Sequence, residues 1–164
     1  MKWFKIFKTK KYSNKMNTLQ FKIPKGFEVE SFDKKTGEIK FKETPKKVTD
    51  RIKTITNVLE DNGLTQEQFT KSCTGLEVDE INYRLTKLLC KSLNEGWVPD
   101  WDNSNERKYT PWFKMGSGGF RYDDYVYWSA NSSVGSRLCL KSDELAKYAG
   151  TQFTEVYEKF MITK

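Results

Sequence analysis

The chain has 164 residues, of which 37% are hydrophobic and 31% charged, a composition that supports one domain-sized core and is too aromatic for disorder throughout. No apolar run approaches the roughly 18 residues that a membrane-spanning helix needs. Three widely spaced cysteines (Cys73, Cys90, Cys139) and no histidine provide no zinc framework and exclude any Cys-His or Ser-His-Asp mechanism.

The formal charge of +7 is concentrated at one end. Residues 1–15, MKWFKIFKTKKYSNK, hold six lysines and no acid, which leaves 23 basic side chains against 22 acidic ones in the rest. Global charge therefore makes no case for a nucleic-acid partner, although a local basic patch is compatible with it. Lysines interleaved with Trp3, Phe4, Ile6, Phe7 and Tyr12 could attract phosphates or an anionic membrane. The segment lacks an apolar period for docking, so a basic flexible extension, or translation begun upstream of Met16, is the preferred reading. Lys5 interrupts its apolar stretch and no small-residue cleavage site follows, unlike a secretory signal. Unpaired cysteines suit a reducing compartment, and a cytoplasmic location is expected.

Residues 16–164 read as a single α+β domain. Leu19, Phe21 and Ile23 alternate with polar residues up to Pro24, and Phe27, Val29 and Ser31 alternate with Glu28 and Glu30. Asp33 to Gly37 forms a loop, and Ile39 and Phe41 face one way on the return, which predicts an N-terminal β-hairpin. After Pro45, Val48, Ile52, Ile55 and Leu59 recur at helical spacing until Gly63, and Thr65 caps a short helix containing Phe69. Val78, Ile81, Leu85, Leu88, Leu89 and Leu93 form the clearest stripe, with Asp79 and Glu80 near its start, Lys87 and Lys91 near its end and Gly96 beyond.

The stretch from Trp97 to Trp128 holds ten aromatic residues, including four of the five tryptophans. It reads as an irregular connection to Arg107, a strand from Lys108 to Met115 with Pro111 favouring an edge, a Gly116–Gly119 turn and a strand from Phe120 to Trp128. A third strand is expected over Ser133–Lys141, and Ser142 caps a final helix with its stripe at Leu145, Ala149, Phe153, Val156 and Phe160. The expected architecture is thus a hairpin, central helices and an antiparallel sheet of about three further strands packed by a C-terminal helix.

Four constellations invite chemistry. Asp100, Asp102 and Ser104 begin like a calcium loop, but Asn105 stands at its glycine position and Pro111 at its bidentate glutamate position, so local Asp and Asn turns are preferred. Asp123 and Asp124 would need a β-bulge to act as a carboxylate pair. Gly116–Gly119 precedes a strand, which favours a hairpin turn over a phosphate cradle. Strand alternation would put Arg137 and Lys141 beside Cys139, where positive charge favours thiolate.

Three phrases, FKIPKGFEVESFDKKTGEIKFKE, LNEGWVPDWDNSNERKYTPWF and SVGSRLCLKSDELAKYAGTQF, resemble a group of small uncharacterised proteins of gut Bacteroidota and of their crAss-like phages and other mobile elements. The resemblance covers about Leu19 to Met161 and leaves the basic segment outside. It implies a phage or mobile-element setting and action in the host cytoplasm; it carries over no activity and no functional residue.

The expectation is a non-enzymatic accessory protein binding single-stranded nucleic acid or a nucleotide. Its surface would comprise Trp97, Trp101, Tyr109 and Trp112 with Arg107, Lys108, Arg121 and Arg137, with no cofactor or metal. Core packing by the same tryptophans is the competing account. A virion structural or host-protein interaction protein is the alternative, because Trp, Tyr and Arg also dominate protein hot spots. A histidine-independent enzyme is the third.

Overall fold

The computed structural model describes residues 20–162, so the basic segment 1–15 and Leu19 lie outside the described residues. The chain divides into two compact units between Pro45 and Lys46.

The first unit holds the expected hairpin, in which β1 (Phe27–Phe32) pairs antiparallel with β2 (Ile39–Glu43). In the loop the Asp33 carboxylate accepts the Lys35 N–H at 2.7 Å, and Gly37, at φ +74, donates its N–H to the Asp33 carbonyl at 2.8 Å. That φ is one a side-chain-bearing residue rarely adopts. Residues 20–24, expected to alternate as strand, have no regular structure, although the Phe21 ring meets Phe41 edge-on at 6.4 Å. The alternation also stops short of Ser31. A bulge between Val29 and Ser31 shifts the register, so Phe32 rather than Ser31 shares a face with Val29, opposite Ile39.

In the second unit the stripe Val48–Leu59 makes two helices instead of one, α1 (Val48–Arg51) and α2 (Ile55–Asp61). The Thr54 hydroxyl accepts the Asn57 N–H at 3.2 Å and starts the helix afresh. Val48, Ile52, Val58 and Leu59 are buried nonetheless. A reciprocal Thr65–Gln68 capping box opens α3 (Gln66–Ser72). The long helix α4 (Val78–Asn94) follows and buries Leu89, Cys90 and Leu93 almost completely, each such leucine contributing about 2 kcal/mol.

β3 (Lys108–Lys114) and β4 (Arg121–Trp128) form an antiparallel ribbon. At its tip the Gly119 N–H donates to the Gly116 carbonyl at 3.0 Å, the hairpin turn the glycine run predicts. The stripe of the last helix is split between α5 (Asp143–Gln152) and α6 (Thr154–Met161). The break at Phe153 gives each half its own partner, since α5 packs on β3 and β4 whereas α6 packs on α4. Among the described residues no helix is long and apolar enough to cross a membrane.

The third strand of the sheet does not form. Of Ser133–Lys141 only Leu140 makes a ladder contact, a single bridge to Tyr109. The other side of this segment is met by a side chain instead of a strand: buried Asn94 donates Nδ2 to the Cys139 carbonyl at 2.9 Å and accepts the Lys141 N–H on Oδ1 at 3.0 Å. One amide thus does the hydrogen bonding of a neighbouring strand and joins the end of α4 to the ribbon. Asn94→Ala leaves a buried C=O and a part-buried N–H unpaired, and denaturant unfolding is expected to show a loss of about 2 kcal/mol.

Candidate functional site

The loop between α4 and β3 is built around a lysine. Lys108, the first residue of β3, has a side chain with no exposed surface. Its Nζ donates to the backbone carbonyls of Asp100, Asn103 and Glu106, the last at 2.8 Å, and lies 3.2 Å from the Glu106 carboxylate. The Trp101 ring covers it, with its centroid 5.3 Å away. Short Asx turns complete the loop: the Asp102 N–H donates to Asp100 Oδ1 and the Asn105 N–H to Asn103 Oδ1, each at 3.0 Å. The loop whose Asp100, Asp102 and Ser104 resemble the start of a calcium site in sequence instead turns the backbone carbonyls of Asp100, Asn103 and Glu106 onto an ammonium carried by the chain itself.

Glu106 connects this cage to Trp97. Its carboxylate accepts the Asp100 N–H at 2.8 Å and the Trp97 Nε1–H at 3.2 Å. Burial opposes ionisation of Glu106, but hydrogen bonds from the Asp100 backbone, Lys108 and Trp97 outweigh it and hold the carboxyl below the usual range. The half-buried Trp97 indole is therefore tethered at its polar edge.

Trp97 forms one wall of a groove of about 400 Å³ with Leu88, Val98 and Pro99, and Lys87, Lys91, Arg137, Ser136 and Asn94 complete the lining. Two lysines and an arginine thus share a groove with an oriented indole, and among the described residues no carboxylate or thiol lines it. Apolar and aromatic walls beside convergent polar groups are a usual feature of a small-ligand site.

No protein-family model matches the chain, and comparison with curated proteins and with solved structures finds none similar to it. The groove's chemistry therefore rests on its own residues.

Of the eight residues expected to share a surface, Trp97 and Arg137 are the two that line this groove. Trp101 borders it by donating Nε1–H to the Ser136 hydroxyl at 2.7 Å. Lys108 is withdrawn from any surface, because its charge is consumed by the cage. Tyr109 packs against the core, with Tyr125 and Tyr127 rings 5.6 and 5.8 Å away. The Arg107 guanidinium lies over the Tyr127 ring at 4.4 Å. Trp112 is 53% exposed and stands opposite Asp124 on the ribbon, whereas Arg121 donates to the Gly118 carbonyl at the hairpin tip. Lys87 and Lys91 escaped the sequence reading because they looked like cations at a helix C-terminus. Their spacing of four, beside Leu88, was the available signal.

The other constellations resolve differently. The bulge that a carboxylate pair would need exists, with Asp123 as its extra residue, but that carboxylate pairs with Lys114 at 2.8 Å on the ribbon surface. Cys139 is no activated thiol: it is buried with its Sγ directed at the Ser136 carbonyl, and burial pushes it up to about 11. Without a regular strand, the alternation that would have set Arg137 and Lys141 on its face is lost.

Proposed function

We propose that this chain is a non-enzymatic binding protein whose ligand is a nucleotide or single-stranded nucleic acid held in the Trp97 groove. The observation that carries this reading is that Lys87, Lys91 and Arg137 line the same groove as an indole whose polar edge is held by Glu106. A base stacked on Trp97 gains about 1–3 kcal/mol, and the cations meet its phosphates. The resemblance to proteins of crAss-like phages and Bacteroidota mobile elements suits an accessory factor acting in the host cytoplasm.

Fluorescence anisotropy with labelled oligothymidine tests it. Trp97→Ala is expected to weaken binding about tenfold or more. Three phosphate contacts on a single strand correspond to an affinity loss of about 20-fold between 50 and 200 mM salt. Unchanged affinity of Trp97→Ala, with its thermal transition intact, would remove the groove from the account.

The exposed rings of Trp112 and Tyr127, 53% and 48% accessible, favour a second reading as a virion or host-protein interaction protein. Association that ignores salt and is lost in a folded Trp112→Ala variant would support that reading.

A further inference from the structure

The helix that supplies Lys87 and Lys91 carries a second groove. About 390 Å³ in volume, it is lined by Tyr83, Arg84, Lys87, Leu76 and Phe160, with Asp79 and Glu80 toward the start of α4. Lys87 lines both grooves. The Tyr83 and Phe160 rings lie 5.4 Å apart at 40°, and Lys87 Nζ sits 4.9 Å from the Tyr83 ring centre. Two grooves with aromatic walls therefore share one cation of α4.

The spacing of the cations fits a chain better than a single nucleotide. Arg84, Lys87 and Lys91 are three and four residues apart, which aligns them on one helix face over about 10 Å. Even at the stacked rise of about 3.4 Å per nucleotide, that length exceeds one step of a strand. Asp79 and Glu80 then repel further phosphates, so the track is short and has an end.

Resting on the binding reading above, we infer that the ligand is a short run of single-stranded nucleic acid laid along α4. One base stacks on Trp97, a base further along the run lies against the Tyr83–Phe160 pair, and Lys87 meets a phosphate of the stretch between them. A purely acidic polymer such as polyglutamate could neutralise the same cations, but it has no rings for two platforms.

The test uses the full chain, labelled oligothymidines of increasing length and competition by thymidine monophosphate. Affinity is expected to rise about tenfold or more from the monophosphate to about four nucleotides, the low end for single-strand binders, and then to level off. Tyr83→Ala should erase that length gain and leave competition by the monophosphate within about twofold, circular dichroism confirming its fold. Should Tyr83→Ala melt early, Arg84→Gln, at a position that lines the second groove and not the first, tests the same loss. Monophosphate competing as well as the tetramer would overturn the two-platform track while sparing the Trp97 groove. Failure of every length to bind would end both. Displacement by polyglutamate as effective as by unlabelled tetramer would reduce the recognition to bare charge and overturn the inference.

Discussion

Lys108→Met is expected to destabilise the protein by about 2–3 kcal/mol, because a buried ammonium is lost and the carbonyls it satisfied are left without their donor. Methionine fills a similar volume but donates nothing. The carbonyls of Asp100, Asn103 and Glu106 would still converge, and the Glu106 carboxylate beside them would lose its counter-charge. For a chain of this size the change corresponds to a fall in Tm of roughly 5–10 °C by differential scanning calorimetry. Arginine should not rescue it, because a planar guanidinium is too large for a cage that fits one ammonium. A variant melting within a degree or two of the parent would show that the cage is ornamental.

The same cage sets an acid limit. The folded carboxyl of Glu106 titrates below its unfolded value of about 4.3, so its stabilisation is full above that pH and is lost as pH falls through the folded value. In Lys108→Met the burial that opposes ionisation loses one of its counterweights, and the folded value rises. Acid unfolding of the variant should therefore begin at a higher pH than in the parent, as followed by circular dichroism. Because Glu106 also holds Trp97, oligonucleotide affinity should fall in parallel.

Gly150→Val is the second large effect, at about 3 kcal/mol of destabilisation. Helix propensity argues the opposite for the milder Gly150→Ala, since alanine inside a helix is worth about 1 kcal/mol over glycine. The docking of α5 on the ribbon overrules it. A Cβ at this position would lie 2.2 Å from Tyr122 Cδ2, 2.7 Å from Cε2 and 3.0 Å from Pro111 Cβ. The Tyr122 ring meets Phe113 edge-on at 6.2 Å and Pro111 is buried, so retreat means repacking the core. Gly150→Ala is therefore also expected to melt below the parent, and trimming the ring in Tyr122→Leu should recover part of the loss. A rise in Tm for Gly150→Ala would mean that the helix stands off the ribbon.

Elements with a period were legible. The hairpin, α3, α4 and the β3–β4 ribbon lie close to where alternation, helical spacing, Thr65 and the glycines put them, because each is specified by its own neighbours in sequence. Two later segments depart from their pattern because each has two partners to satisfy. The last stripe divides at Phe153 because half of it faces the ribbon and half faces α4, and Ser133–Lys141 stays irregular because Asn94 takes the hydrogen bonds a strand would need.

The site shows the same division. Sequence alone determined that imidazole chemistry is absent, that rings concentrate between Trp97 and Trp128 and that the α4–β3 connection is rich in turn-forming Asp and Asn. Tertiary structure alone decided which charges face solvent. Lys108 and Lys91 are the same residue type, yet one is sealed among carbonyls while the other rims a groove. Composition assigns both the same charge; burial and the direction of neighbouring dipoles, which depend on chain segments distant in sequence, decide what that charge binds.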